Sequence, residues 1–327
     1  MKVLLDILIL LVGFVALIKG ADWFVDGSAA VARKFRVPGV IIGLTIVAMG
    51  TSAPELAVST SAAIQGSNEI AISNVLGSNL FNLLMVLGIC AIIHTVPVND
   101  IIVKRDYPVN LIITVILILF TSLPALMKGG LFRHEMSDNV GEVSRVAGIC
   151  FLVIFIVYII LLIRNARKNR TEEEEEVAPM PGWKCLVLIL VGIGCIVGGG
   201  EAVVYGAKNI ALAAGMSETL VGLTIVALGT SLPELVTSIV AAHKGQTDMA
   251  VGNVVGSNLF NILLILGVSC TIHPISVNLA NVLDGFILLG VSVITLAFLL
   301  NGRKIKRWEG IVMVALYAGD MVFAVLR

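Results

Sequence analysis

Long apolar stretches recur along this chain, and they restrict its fold more than any other feature of the sequence. A helix needs about 20 apolar residues to cross a bilayer, and inside the bilayer only helices and closed barrels satisfy all their backbone hydrogen bonds. Windows of that length predict an all-α integral membrane protein with ten spanning helices, near residues 3–27, 38–64, 69–94, 107–127, 146–164, 183–207, 217–243, 248–272, 283–300 and 308–326.

Composition agrees with that fold class and narrows the partners. Residues of the AVILMFWYC set make up 58% of the 327 positions and charged residues 13%, against about 45–50% and 25% in a soluble domain. Mean hydropathy is +1.02. The 22 basic and 22 acidic residues cancel, so the charge balance gives no reason to expect a nucleic-acid partner. The five cysteines lie singly in apolar runs, which is typical of packed core residues, and we expect no cofactor.

The two halves of the sequence align without gaps at an offset of 179 residues. GLTIVAMGTSAPEL (43–56) matches GLTIVALGTSLPEL (222–235) at 12 of 14 positions, and SNVLGSNLFN (73–82) matches GNVVGSNLFN (252–261) at 8 of 10. Identity over two separated blocks indicates a duplicated five-helix unit. We predict a first repeat at 1–165, a cytoplasmic acidic linker at 166–182 and a second repeat at 183–327.

An odd number of helices per repeat predicts that the second copy enters the membrane in the opposite orientation. Lys and Arg accumulate in cytoplasmic loops. With the N-terminus outside, fifteen basic residues fall in inner loops and six on the outer side. We therefore expect a multi-pass protein of the plasma (inner) membrane with an external N-terminus and with Glu172–Glu176 in the cytoplasm.

Each repeat places a proline and a glutamate inside an apolar helix. Pro54 and Pro233 cannot donate to the carbonyl four residues earlier, so each helix is expected to kink or break there. Glu55 and Glu234 are expected at membrane depth, where a carboxylate costs about 2.5–3.5 kcal/mol or more and is usually functional. Neither motif contains Lys or Arg, so the charge balance is expected to come from bound cations or protons.

The other polar residues of the motifs supply neutral oxygen atoms. Spacing of i, i+4 predicts a shared helix face for the pairs Thr51/Glu55, Ser78/Asn82, Thr230/Glu234 and Ser257/Asn261. Carboxylate, carbonyl, hydroxyl and amide oxygens suit hard cations, above all Ca²⁺, which accepts 6–8 ligands in flexible geometry. Two carboxylates balance one divalent cation or two monovalent ones.

GTSxPE followed by GSNxxN, in two inverted copies, resembles the alpha-repeats of the cation/calcium antiporter superfamily, and most closely those of the prokaryotic sodium/calcium exchangers. The resemblance implies two gating helices that slide past a core of eight. It also implies that Glu55 and Glu234, with the backbone carbonyls of Thr51 and Thr230, bind calcium. Sodium sites implied in the same way use these glutamates and a second group of residues: Ala48, Thr51, Ser52, Ser78, Ala227, Thr230, Ser231 and Ser257. Asn82 and Asn261 match a central polar pair, in which the family usually has an aspartate at the second position.

The sequence therefore predicts a Na⁺/Ca²⁺ antiporter, not an enzyme, with Ca²⁺ and Na⁺ as substrates, the lipid bilayer as its surroundings and one chain as the working unit. A Ca²⁺/H⁺ antiporter using the same glutamates is the main alternative. A cation channel would usually form its filter at an oligomer axis. An intramembrane hydrolase is disfavoured because the sequence contains no HExxH, GxSxG or His-paired Ser.

Overall fold

The computed structural model describes residues 2–66, 69–127, 135–136, 138–168, 180–216 and 227–326. Most of these residues are helical. The helices are α1 Lys2–Phe35, α2 Gly39–Thr51, α3 Ala53–Ile64, α4 Glu69–Ile93, α5 Tyr107–Met127, α6 Arg145–Lys168, α7 Gly182–Ala213, α8 Ala227–Gly229, α9 Leu232–His243, α10 Thr247–Ile272, α11 Leu279–Leu300 and α12 Arg307–Leu326. Four short strands accompany them: β1 Val96–Pro97, β2 Asn139–Val143, β3 Ile275–Asn278 and β4 Lys304–Ile305.

The described helices confirm a multi-span membrane protein. Seven of them are long and apolar enough to cross a bilayer, and the bent pair α2 and α3 makes an eighth candidate. The predicted span 107–127 coincides with α5. The predicted span 217–243 begins outside the described residues, which cover it only from Ala227. The count of ten and the inverted orientation of the repeats remain predictions.

Both predicted helix breaks are present. α2 ends at Thr51, and α3 begins at Ala53 after Ser52, whose φ of −83° and ψ of 10° leave the helical region. In the second copy α9 begins at Leu232 after Ser231, with φ −94° and ψ 5°. In each case proline takes the second helical position, where a missing N–H costs nothing because the first N–H groups of a helix have no intrahelical partner.

Four π-helical segments occur within the described residues, and the sequence analysis predicted none of them. These segments are Gly43–Val47 in α2, Ile102–Asp106 directly before α5, Asn82–Val86 in α4 and Asn261–Leu266 in α10. The last two begin at Asn82 and Asn261, which are equivalent in the two copies. A π-helical turn inserts one extra residue and turns the following side chains about the helix axis, which is why such turns are frequent at functional sites.

The chain divides into two compact units, and each contains residues of both repeats. The first unit comprises Met1–Ala53 and Arg164–Val254. Its main feature is the close packing of α1 against α7. Glycines spaced by seven residues make this possible on both helices: Gly13, Gly20 and Gly27 on α1, and Gly192, Gly199 and Gly206 on α7. A Cβ atom added at Gly199 would lie 2.6 Å from Leu17 N and 2.8 Å from Gly13 O, so the two backbones are in direct contact.

The second unit comprises Pro54–Ile163 and Val255–Arg327. Two antiparallel ribbons connect its helix ends, with β1 paired to β4 and β2 paired to β3. The side chain of Asn281, in the first turn of α11, donates to Ser73 Oγ on α4 over 3.0 Å. These contacts fix the helix ends around a buried group of asparagines on α4 and α10.

Candidate cation site

The glutamates of the repeated motif lie in the first turn of α3 and of α9. Glu55 and Glu234 each occupy the third helical position, and each is only 1% exposed. The positive end of a helix dipole stabilises a carboxylate there by up to about 2 kcal/mol in partly buried geometry. Removal of an ion from water costs several kcal/mol, so the dipole alone does not compensate a buried carboxylate.

The first compact unit brings residues of both copies to Glu234. Ser52 Oγ donates to Glu234 Oε1 over 2.8 Å. Ser52 belongs to the first motif, GTSAPEL, and Glu234 to the second, GTSLPEL. The two motifs are thus in direct contact, although Ser52 and Glu234 lie 182 residues apart along the chain.

Asn253 extends this cluster within the same unit. Thr51 Oγ1 lies 3.1 Å from Asn253 Oδ1 and 3.1 Å from Val47 O, and it can donate to either oxygen. Asn253 Nδ2 donates to Ser238 Oγ over 2.9 Å. The Thr51 hydroxyl is therefore held by oxygen atoms of the same unit.

The second unit repeats this arrangement near Glu55. Asn74 Nδ2 donates to Ser59 Oγ over 2.9 Å and lies 3.5 Å from Glu55 O. Asn74 and Ser59 are equivalent to Asn253 and Ser238 at the offset of 179. In both copies, therefore, one amide and one hydroxyl join the helix with the proline in its first turn to the helix that follows it.

Four buried asparagines in the second unit form what we call the asparagine ring: Asn79, Asn82, Asn258 and Asn261. Asn82 Nδ2 donates to Asn258 Oδ1 over 3.2 Å, and Asn261 Nδ2 donates to Asn79 Oδ1 over 2.9 Å. Asn79 Nδ2 donates to the main-chain oxygen of Asn258 over 3.3 Å, and Asn258 Nδ2 to that of Asn79 over 3.4 Å. All four residues are at most 1% exposed. The contacts are the same when the two copies are exchanged.

The remaining predicted ligands lie next to these groups along the chain. Ser78 and Ser257 are buried one turn before Asn82 and Asn261. Ala48 is buried in α2, and Ala227 begins α8. Thr230 and Ser231 occupy the break before α9, and Thr230 Oγ1 is a buried oxygen without a hydrogen bond to any described residue.

Two predicted pairs do not share a helix face. Thr51 closes α2 whereas Glu55 lies in α3, and Thr230 precedes α9 whereas Glu234 lies inside it. The i, i+4 expectation was wrong for these pairs because the break at Ser52 and Ser231 separates their members. Ser78 and Asn82 do share α4, and Ser257 and Asn261 share α10.

Sequence reasoning overlooked four asparagines that contact the predicted ligands: Asn74, Asn79, Asn253 and Asn258. Their signal was present, because all four lie inside the matched blocks and are identical in both copies. Polar residues in membrane helices commonly join helices by hydrogen bonds. Here each of the four asparagines also contacts a predicted ligand residue.

The chemistry of both clusters is that of oxygen. Carboxylate, hydroxyl, amide and carbonyl oxygens surround the motifs, and nowhere in the described part of the chain do three His, Cys, Asp or Glu side chains gather. Such ligands favour hard cations over soft metals. Buried carboxylates and neutral oxygens on membrane-spanning helices are typical of proteins that move cations across a membrane.

The chain belongs to the sodium/calcium exchanger protein family, whose model matches residues 5–164 and 184–326. It is therefore a multi-pass cation/calcium antiporter. This assignment confirms the resemblance of the motifs and the class of function expected from the sequence.

Relatives and solved structures match over nearly the whole chain. CaxA of Alkalimonas amylolytica, named as an antiporter, is 37% identical over 318 residues, which cover 94% of this chain and 95% of CaxA. The sodium/calcium exchanger MaX1 of Methanosarcina acetivorans is 33% identical over 341 residues, which cover 97% of this chain and 97% of MaX1. A structure of the sodium-calcium exchanger NCX_Mj superimposes with a TM-score of 0.81 at 33% identity, covering 99% of this chain and 100% of NCX_Mj. The inner membrane protein YrbG of Escherichia coli is 33% identical over 89% of this chain and 87% of YrbG.

Proposed function

We propose that the protein exchanges Na⁺ for Ca²⁺ across the plasma (inner) membrane by alternating access, with its N-terminus outside and one chain as the working unit. The observation that carries this proposal is the 2.8 Å hydrogen bond from Ser52 of the first motif to Glu234 of the second. A single chain thereby supplies both copies of the motif to one cluster of oxygens.

In the proposed site, Ca²⁺ is bound by the carboxylates of Glu55 and Glu234 and by the backbone carbonyls of Thr51 and Thr230. Na⁺ uses the same glutamates together with neutral oxygens of Ala48, Thr51, Ser52, Ser78, Ala227, Thr230, Ser231 and Ser257. Asn82 and Asn261 form the central polar pair. The burial of both glutamates and the oxygen chemistry around them support this set.

Exchange follows from competition for the two glutamates. Na⁺ and Ca²⁺ cannot both hold them, so binding of one ion displaces the other. With no cation bound, the site would hold the negative charge of two buried carboxylates, and removal of each charge from water costs several kcal/mol. That penalty opposes movement of the empty site and so prevents a leak. Sodium entering down its gradient then drives calcium out.

Sodium is favoured over protons as the coupling ion by the residue at position 261. Asn261 is an amide that already donates to Asn79 Oδ1. An amide does not change its charge between pH 5 and 9, so the central pair contributes no titratable group. A Ca²⁺/H⁺ antiporter would have to carry its protons on Glu55 and Glu234 alone.

Purified protein in proteoliposomes tests the proposal. Vesicles loaded with Na⁺ and diluted into Na⁺-free buffer at fixed pH should accumulate radioactive Ca²⁺, and vesicles loaded with K⁺ should not. A pH gradient without Na⁺ serves as the second arm. Calcium uptake driven by the pH gradient but not by the Na⁺ gradient would replace sodium exchange with proton exchange.

A further inference from the structure

We propose that Asn79 and Asn258 are positioning residues, which fix the side-chain amides of Asn82 and Asn261 so that the carbonyl oxygen, and not the amino group, faces the transported cation. The proposal rests on the proposed function, because it assigns a cation to the central polar pair. It concerns two residues outside the ligand set described above.

Two main-chain oxygens fix the orientation of the side-chain amides of Asn79 and Asn258. A backbone carbonyl can only accept hydrogen bonds. Asn79 must therefore turn its Nδ2 to the main-chain oxygen of Asn258, 3.3 Å away, and Asn258 must turn its Nδ2 to that of Asn79, 3.4 Å away. The Oδ1 atom of each then points the other way.

The side-chain oxygens of Asn79 and Asn258 determine the orientation of the other two amides. An acceptor requires a donor opposite it, so Asn261 presents Nδ2 to Asn79 Oδ1 at 2.9 Å, and Asn82 presents Nδ2 to Asn258 Oδ1 at 3.2 Å. Reversal of either amide would place two acceptor oxygens against each other. Four hydrogen bonds thus hold two amides in one of their two orientations.

The consequence is a pair of buried oxygens that accept no hydrogen bond from the described residues, Asn82 Oδ1 and Asn261 Oδ1. Both residues are at most 1% exposed, and a buried acceptor without a partner is costly. A cation, directly or through its water, compensates such oxygens. The amino group at the same position would repel it.

The first test measures Ca²⁺ affinity after removal of the positioning amide. Asn79→Ala leaves the amide of Asn261 free to turn, so the KM for Ca²⁺ in exchange and the Kd from calorimetry on the purified protein should rise about tenfold, equivalent to about 1.4 kcal/mol. The kcat should change by less than the KM. Asn110→Ala is the matched control, since Asn110 is a buried amide of the same unit on α5 that has no hydrogen bond to the ring.

The second test asks whether orientation, rather than packing, explains the loss. A carboxylate presents an oxygen whichever way it turns, so it needs no positioning residue. In the Asn79→Ala background, Asn261→Asp should recover most of the lost Ca²⁺ affinity. In the wild-type background the same substitution places a carboxylate oxygen opposite Asn79 Oδ1. It should therefore give no comparable gain in Ca²⁺ affinity. A purely structural role of Asn79 predicts equal effects of Asn261→Asp in both backgrounds.

Wild-type KM and Kd in Asn79→Ala, or equal effects of Asn261→Asp in the two backgrounds, would overturn the proposal. If Asn79→Ala does not yield folded protein, the equivalent pair Asn258→Ala and Asn82→Asp gives the same test from the other copy. Calorimetry separates this proposal from the proposed function. If the wild-type protein binds Ca²⁺ but shows no Na⁺-driven uptake, coupling to sodium is refuted. The Ca²⁺ affinities of the variants still decide whether Asn79 and Asn258 position the other two amides.

Discussion

At the scale of single residues, the two buried glutamates differ from their neutral neighbours in supplying charge. Glu55→Gln or Glu234→Gln keeps the size of the side chain, and a glutamine carbonyl can still accept the 2.8 Å hydrogen bond from Ser52 to position 234. The site nevertheless loses half of the charge that balances Ca²⁺. Loss of one partner from a buried charged pair typically costs about 3–5 kcal/mol, so each variant should reduce Na⁺-driven Ca²⁺ uptake by about a hundredfold or more.

Uptake in proteoliposomes, normalised to the reconstituted protein, measures this loss. Ser52→Ala is the comparison variant, because it removes the hydrogen bond to Glu234 and one proposed neutral Na⁺ ligand but keeps both charges. Its effect should be about tenfold, as expected for a hydrogen bond to a charged group. Retained exchange in either glutamine variant would refute the assignment of that glutamate as a ligand.

Position 261 determines whether exchange responds to pH. Asn261→Asp places a carboxyl group opposite Asn79 Oδ1, an acceptor that now receives a hydrogen bond from Asn261 Nδ2 over 2.9 Å. Only the protonated carboxyl can donate to that oxygen, so the neutral form is favoured. At a pH below the titration midpoint of the new carboxyl group, the variant should behave like the wild type. At a pH above this midpoint, the new charge should alter the rate of exchange. Rates measured from pH 5 to 9 at a constant Na⁺ gradient test this. An unchanged pH profile would contradict it.

At the scale of elements, apolar length and duplication predicted much of what the structure contains. Within the described residues, helices occur where the apolar windows were found, and the breaks occur before Pro54 and Pro233 because a proline N atom cannot donate. The π-helical segments at Asn82 and Asn261 were not predictable, since their extra residue leaves the apolar pattern almost unchanged. The asparagine ring was missed for a different reason: a polar residue inside an apolar helix does not reveal its partner, and Asn79 meets Asn258 only in the folded chain.

Close packing of α1 on α7 makes a specific prediction about one glycine. A Cβ atom added at Gly199 would lie 2.6 Å from Leu17 N, whereas one added at Gly198 would meet nothing within 4 Å. Overpacking typically costs about 1–3 kcal/mol. Gly199→Ala should therefore lower the thermal unfolding midpoint in detergent by several degrees, and Gly198→Ala should leave it unchanged or raise it slightly. Equal midpoints for the two variants would contradict direct contact of these helices.

At the scale of the whole molecule, the compact units do not coincide with the duplicated halves. Two of their three boundaries, between Ala53 and Pro54 and between Val254 and Val255, fall inside the repeated motifs, and the third, between Ile163 and Arg164, lies near the end of the first repeat. Sequence comparison recognises what was duplicated, but it contains no information on which segments pack together. Hence the ligand types could be predicted from the motifs, while the contact of Ser52 with Glu234 required the fold.

The orientation of the chain in the membrane is the prediction that depends on the molecule as a whole. Fifteen of the basic residues fall in the loops that become cytoplasmic when the N-terminus is outside, and Lys and Arg are retained on that side. In this orientation, position 130 faces outward and position 174 of the linker faces the cytoplasm. A membrane-impermeant maleimide added to right-side-out vesicles should therefore label Gly130→Cys at once and Glu174→Cys only after permeabilisation. The wild-type protein, which keeps its five native cysteines, gives the background. Labelling in the reverse order would place the N-terminus inside and invert the assignment of every loop.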